Sequence, residues 1–154
     1  VVVSPDIGGL KRAHAYSQTL EGGLAIVAKR RKNATEVESM AVIGEIRGKN
    51  VLLVDDLTET AGTLTAAAGL LKKKGAKQIL ACVSHAILND VGVERLRKSV
   101  IDELITTDTV LRPAIDGVKV TTLSVAGLLG EAIKRIHNNS SVNSLFEFKG
   151  GRTS

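Results

Sequence analysis

Aromatic residues are nearly absent from this sequence, at 2% of 154 residues against 44% hydrophobic residues in all. The core must therefore be built from Val, Ile, Leu and Ala, which favours a parallel α/β sheet over an aromatic-rich sandwich. The same scarcity weighs against a nucleic-acid partner. No aromatic side chains interleave the cations, and no basic block exceeds a few residues. Cysteine occurs once, at Cys82, so no disulfide can form within the chain. The apolar run around it predicts a buried, reduced thiol and a cytoplasmic location. No apolar stretch is long enough to span a bilayer, so no membrane-spanning helix is expected. Internal repeats, metal-spaced Cys/His clusters and a Ser-His-Asp order suited to hydrolysis are all missing. A net charge of +5 and a pI near 9.5 fit anionic ligands in general. The length suits one domain with a single substantial core.

The chain is organised around Val51 to Leu64, reading V-L-L-V-D-D-L-T-E-T-A-G-T-L. Val51 to Val54 are apolar without alternation, the pattern of a strand buried on both faces of a parallel sheet. Asp55 and Asp56 follow where such a strand reaches its C-terminal edge. A run of hydroxyls and small residues comes next, Thr58, Glu59, Thr60, Ala61, Gly62 and Thr63, and an Ala/Leu-rich helix begins at about Thr63. Ligands of open α/β sheets bind outside the carboxyl ends of the strands. Backbone N–H groups and a helix N-terminus there attract phosphate, and Gly62 allows its close approach. Carboxylates cannot bind a bare phosphate, so Asp55 and Asp56 point to sugar hydroxyls or a magnesium ion beside it. An acidic capped turn is the bland alternative for a lone Asp-Asp. The full run is more specific and resembles the ribose-phosphate signature of the type I phosphoribosyltransferase fold.

The rest of the chain alternates strands with helices, which predicts a doubly wound, mostly parallel sheet flanked by helices. Val1 to Ser4 reads as a strand that Pro5 breaks. The turn Asp6-Ile7-Gly8-Gly9 then feeds a helix from Leu10 to Leu20 and forms a second ligand-facing corner, or an ordinary strand-to-helix turn. Because the chain opens in mid-strand without Met, a fragment of a longer protein is expected. Strands are expected at Leu24–Ala28 and Met40–Ile46. Lys29-Arg30-Arg31-Lys32 and the polar stretch Asn33 to Ser39 form a long loop between them. Such a charge run is normally just solvated. Beside a phosphate site it could act as a mobile arm that closes and neutralises charge. Further strands are read at Gln78–Val83, Asp102–Thr107 and Val118–Leu123, with helices at Val91–Lys98 and Val125–Ile136. His85, at a strand end, is a candidate ligand or proton-transfer group, or a structural histidine.

V-V-V-S-P-D-I-G-G, the K-R-R turn, I-G-E-I-R-G-K, V-D-D-L-T-E-T-A-G-T and E-A-I-K-R-I-H recur in collinear order along essentially the whole chain. Together they resemble the C-terminal half of the ribose-phosphate pyrophosphokinase family, also called phosphoribosyl pyrophosphate synthetases. The resemblance implies a catalytic domain over residues 1–154, with the N-terminal half of the parent enzyme missing. The implied reaction transfers pyrophosphate from ATP to the anomeric hydroxyl of ribose 5-phosphate, giving phosphoribosyl pyrophosphate and AMP. Asp55 and Asp56 would hold the ribose hydroxyls, and Glu59, Thr60, Ala61, Gly62 and Thr63 the 5-phosphate. Lys29 and Arg31 would stabilise charge on the transferring phosphates, and Asp6 would help hold Mg2+. Ser141 resembles part of a regulatory anion site between subunits, so a homo-oligomer is expected. Three positions depart from the family pattern: Glu59 replaces Asp, Asn89-Asp90 replaces Ser-Gly, and Asn143 replaces Ser. Two other readings compete, a non-catalytic regulatory homologue, which Glu59 favours, and a nucleobase phosphoribosyltransferase, which would need a base-binding hood not found in the sequence.

Overall fold

Val51 to Val54 lie in the middle strand of a seven-stranded sheet in a computed structural model that describes residues 1–31, 37–111 and 114–146, with the backbone alone for residues 29–31 and 37–39. The strands are β1 (Val2–Ser4), β2 (Leu24–Arg31), β3 (Val37–Ile43), β4 (Asn50–Thr58), β5 (Gln78–Ala86), β6 (Glu103–Thr107) and β7 (Val120–Leu123). Their order is β3-β2-β1-β4-β5-β6-β7, and every pair is parallel except β2–β3. The chain works outward from β1 to β3, returns to β4 at the sheet's centre, and works outward again to β7. The reversal places a topological switch point between β1 and β4, where open sheets of this kind bind ligands.

Helices α1 (Leu10–Thr19), α2 (Gly62–Lys73), α3 (Asp90–Arg97) and α4 (Ala126–His137) and a 3₁₀ turn (Asn143–Phe146) complete the described residues. Successive side chains of a strand point to opposite faces, and the two faces here are covered unequally. Val3, Val51, Leu53, Ile79, Ala81 and Val83 pack on Leu64, Ala67, Ala68 and Leu71 of α2 in the main core. Each fully buried Leu of α2 contributes about 1.5–3 kcal/mol. The alanines let α2 lie close to the sheet. On the other face, Val2 and Val54 meet Ala13 of α1, with Leu52 and Cys82 beside them. Beyond α1 that face is open: Leu52, Cys82, Ile105 and Leu123, with Tyr16 and Leu20, line a largely apolar cavity of about 450 Å³. The apolar residues of α4 do not turn inward, Leu128, Leu129, Ile133 and Ile136 being 52–68% exposed.

Two expectations need correction. The cations read as the root of a long loop lie on a strand. Lys29, Arg30 and Arg31 pair with Met40, Ser39 and Val37 in an antiparallel hairpin, and β3 begins at Val37 rather than Met40. Charged side chains are common on pairs at the edge of a sheet, and β2–β3 is such a pair. Lys32 and the polar residues 33–36 lie outside the described residues. Cys82 is half-buried rather than buried, because it faces the open cavity. No helix among the described residues is long and apolar enough to cross a membrane.

Candidate functional site

The β1 ladder on β4 ends at Val3–Leu53, whereas β4 and β5 stay paired as far as Thr58–Ala86. Asp55 and Asp56 therefore stand past the end of β1, in the crevice at the switch point. The turn after β1 forms the opposite wall. There the Ser4 hydroxyl donates to the Asp6 carbonyl at 2.6 Å, and the Gly9 N–H donates to Asp6 Oδ1 at 3.0 Å. A Cβ at Gly9 would lie 2.7 Å from Ser4 Oγ, so this close turn requires glycine. Three residues on, α1 presents Arg12, whose Nη1 donates to Asp55 Oδ1 at 3.0 Å and whose Nη2 donates to Asp56 Oδ2 at 2.6 Å. The structure thus brings Asp6, Asp55 and Asp56 to one crevice and adds a cation the sequence reading did not single out.

Burial holds Asp55 above the ordinary carboxylate range, helped by the negative charges of Asp56 and Asp6 and opposed by the Asp56 N–H. Asp56 sits below that range: desolvation is the largest single influence and raises it, but the hydrogen bond with Asp55, the charge of Arg12 and the backbone N–H groups of Asp56 and Leu57 together outweigh it. Among the described residues, no three His, Cys, Asp or Glu side chains converge on a metal position. Asp6 Oδ1 is engaged by Gly9 N, which leaves Oδ2 as its outward acceptor. One carboxylate oxygen fits magnesium, which keeps waters and takes its other ligands from substrate phosphates.

Glu59, Thr60 and Ala61 link β4 to α2. Ala61 caps the helix in the left-handed conformation, φ 53°, without a side-chain cap hydrogen bond. That conformation costs a non-glycine residue about 1–2 kcal/mol, strain typical of a functional turn. The first N–H groups of a helix have no intrahelical partner. With a left-handed residue just ahead of them they form an anion-binding concavity. Gly62 and Thr63 belong to this first turn.

A second layer holds the loop from behind, through three successive carbonyls. Thr58 O accepts from Ile87 N at 2.9 Å, Glu59 O from Asn89 N at 3.2 Å, and Thr60 O from Arg95 Nη1 at 3.1 Å. Asn89 also caps α3, its Oδ1 accepting from Gly92 N at 2.9 Å. Asn89-Asp90 is thus a helix start that braces the loop. Arg12, Asn89, Gly92 and Arg95 were not identified from the sequence. Asn89 carried a signal, an N-cap type before a helix. The two arginines act on partners 43 and 35 residues away, which no local pattern reveals.

The remaining candidates fall as follows. β2 runs parallel to β1, Ile26 pairing with Ser4, so the backbones of Lys29 and Arg31 lie further toward the same C-terminal edge. Their side chains lie outside the described residues. Ser141 follows α4, its hydroxyl accepting from Asn143 N at 3.2 Å and its carbonyl from Arg135 Nη1 at 3.2 Å. Among the described residues it does not meet the crevice. His85 pairs across from Leu57, and its Nδ1 shares a 2.7 Å hydrogen bond with Thr109 Oγ1.

A family model for the phosphoribosyl synthetase-associated domain matches residues 31–147. The ribose-phosphate pyrophosphokinase of Campylobacter jejuni is 46% identical over 147 residues, 95% of this chain and 47% of that protein. The Aquifex aeolicus enzyme of the same name is 45% identical over 146 residues, again 95% and 47%. The crystal structure of phosphoribosylpyrophosphate synthetase from Mycobacterium smegmatis is similar at TM-score 0.80 and 34% identity, over 90% of this chain and 45% of that one. Orotate phosphoribosyltransferase from Aeropyrum pernix shares the fold at TM-score 0.55 and 19% identity, over 86% of this chain and 64% of that one. The sheet is therefore of the type I phosphoribosyltransferase kind. The chain spans about half the length of the curated relatives it matches.

Proposed function

The chain belongs to the phosphoribosyl synthetase-associated domain family, and from that membership we propose that it is the ribose-phosphate-binding domain, residues 1–154, of a ribose-phosphate pyrophosphokinase. In this reading the anomeric oxygen of ribose 5-phosphate attacks the β-phosphorus of ATP. The bond to the α–β bridging oxygen breaks, and phosphoribosyl pyrophosphate and AMP result. One observation carries the reading: a carboxylate pair for sugar hydroxyls and a helix-start cradle for a phosphate adjoin each other at the switch point.

Asp55 and Asp56 accept hydrogen bonds from the ribose hydroxyls. The N–H groups from Ala61 to Thr63 and the Thr60 and Thr63 hydroxyls hold the 5-phosphate. Glu59, at the mouth of the loop, turns its side chain to solvent. Asp6 would hold Mg2+ through Oδ2 together with ATP phosphate oxygens and waters, and the ion would neutralise charge on the transferring group. Lys29 and Arg31, whose backbones lie on β2, would stabilise the same charge. Phosphoryl-type transfer needs positioning and charge neutralisation rather than a covalent nucleophile, which suits a site without one. We place ATP and ribose 5-phosphate as its substrates, in the cytoplasm, with the adenine contacts outside this chain. The bare apolar residues of α4 and Phe146, 76% exposed, support a homo-oligomer. The residues around Ser141 are then a subunit-contact candidate.

Calorimetry of ribose 5-phosphate binding to the 154-residue chain tests the reading. Binding should weaken at least tenfold in Asp56→Ala, as loss of a charge-assisted hydrogen bond implies. A folded chain that ignores ribose 5-phosphate at millimolar concentration refutes the assignment.

A further inference from the structure

Among the described residues, only Arg12 forms ion pairs with Asp55 and Asp56, and it engages each through a separate amino group. It takes Asp55 Oδ1 and Asp56 Oδ2. Asp55 Oδ1 also accepts the Asp56 backbone N–H at 2.9 Å. Of the four carboxylate oxygens, Arg12 thereby holds two and leaves the other two, Asp55 Oδ2 and Asp56 Oδ1, free of its grip. We propose that Arg12 is the positioning residue of this site, orienting the carboxylates so that one free oxygen of each is offered to two vicinal hydroxyls. The ligand class is a pentose phosphate with a cis-diol, and the inference rests on the ribose-phosphate reading above.

Physical chemistry favours arginine for the task. A guanidinium is a planar fork whose two amino groups reach two carboxylates at once, whereas an ammonium is a point charge on a flexible stem. Left alone, adjacent carboxylates facing Asp6 repel one another and rotate apart, or share a proton and lose an acceptor. The side chain lies over the preceding turn, where a Cβ at Gly9 would be in ordinary contact with Arg12 Nη1 at 3.5 Å. Arg12 remains 30% exposed and outside the main core, so its removal leaves the packing on α2 intact. It spends its hydrogen bonds on the acids, and the ligand meets the acids.

The test is calorimetry on the 154-residue chain and its Arg12→Ala and Arg12→Lys variants, with ribose 5-phosphate, 2-deoxyribose 5-phosphate and inorganic phosphate. Arg12→Ala should bind ribose 5-phosphate roughly tenfold or more weakly, as loss of aligned charge-assisted hydrogen bonds implies. Its affinity for the deoxy sugar and for phosphate should stay within about twofold, so the preference for the diol collapses. Arg12→Lys should fall between the two. A merely structural residue would weaken all three ligands together, and that result overturns the inference. Wild-type preference for the diol in Arg12→Ala also overturns it and leaves the ribose-phosphate reading standing. If Arg12→Ala does not fold, full wild-type preference in Arg12→Lys overturns it instead. A wild-type chain that binds phosphate but not ribose 5-phosphate overturns both.

Discussion

Replacing Gly92 by alanine tests whether α3 sets the shape of the phosphate loop. Gly92 is buried near the start of α3, and a Cβ there would lie 2.3 Å from Glu59 O, 2.9 Å from Leu88 Cδ2 and 3.2 Å from the Thr60 carbonyl carbon. In an open helix the change would be favourable by about 0.8–1 kcal/mol. At 2.3 Å from a backbone oxygen the methyl needs roughly 1 Å more room to reach ordinary contact. The oxygen belongs to Glu59, so that shift falls on the loop itself. Overpacking of this kind costs about 1–3 kcal/mol, and the balance is a loss of about 0–2 kcal/mol. Gly69 of α2 is the control, since a Cβ there meets nothing within 4 Å. Gly69→Ala should gain up to about 1 kcal/mol. Urea melts of both variants should therefore differ by about 1–3 kcal/mol in opposite senses, with equal slopes. Calorimetry should show ribose 5-phosphate binding reduced on the order of tenfold or more in Gly92→Ala and unchanged in Gly69→Ala, because a 1 Å displacement is large on the scale of site geometry. Gly92→Ala that matches Gly69→Ala in stability and binds with wild-type affinity refutes the reasoning.

On the proposed function, in a longer protein that carries this domain beside the ATP-binding half, Lys29→Ala and Arg31→Ala should each cost about 2.7–4 kcal/mol in turnover, roughly a hundredfold or more, followed as AMP release. Ribose 5-phosphate affinity should hardly change, since contacts made in the transition state lower the rate alone; equal loss of affinity with turnover intact would assign them to substrate capture. The Thr106 hydroxyl is buried without a hydrogen-bond partner in the described structure. Thr106→Val should therefore stabilise the fold by about 1 kcal/mol, and destabilisation in a urea melt would show that the hydroxyl is satisfied. Burial raises the Cys82 thiol above its ordinary 9.0, against a hydrogen bond from Tyr16, and burial raises Tyr16 above 10.0, helped by Cys82. A raised folded pKa means that the protonated form is favoured by folding. The contribution is full below the unfolded value and is lost as pH rises through the folded one. Stability should fall above about pH 9, less steeply in Cys82→Ala; a flat profile through that range contradicts the assignment.

What was legible in the sequence was what is contiguous in it. Val51 to Val54 read as a central strand because apolar contacts on both faces remove polar alternation, although Leu52 is only partly covered. Asp55 to Thr63 read as one candidate site because its acids, hydroxyls and glycine are neighbours, although Asp55 to Thr58 belong to β4 and not to the loop. The hairpin of β2 and β3 was misread because a charge run was weighed by composition alone. Its cations sit on a strand of the pair at the sheet's edge, where charge is common. α4 shows a different limit: the spacing of Leu129, Ile133 and Ile136 says that a face needs cover, and no helix among the described residues supplies it.

The supporting residues were hidden because topology, not spacing, makes them neighbours. Yet part of that placement could be derived once the strand order was known. In a doubly wound sheet the first strand and the strand after the reversal are adjacent, so the helix that follows β1 starts beside the C-terminal end of β4. A residue in its first turn then faces whatever β4 presents there. Arg12 is the only cation besides Lys11 in the opening residues of that helix, and β4 presents two carboxylates. Two adjacent acids, Asp55 half-buried and Asp56 exposed, favour a counter-charge beside them, and the strand order says where to seek it. The same step leads from the β4–α2 loop to the next turn along the sheet, between β5 and α3, where Asn89, Gly92 and Arg95 brace the loop. Reading such a site thus needs two passes, one for the motif and one for the residues that its own electrostatics and the strand order require beside it.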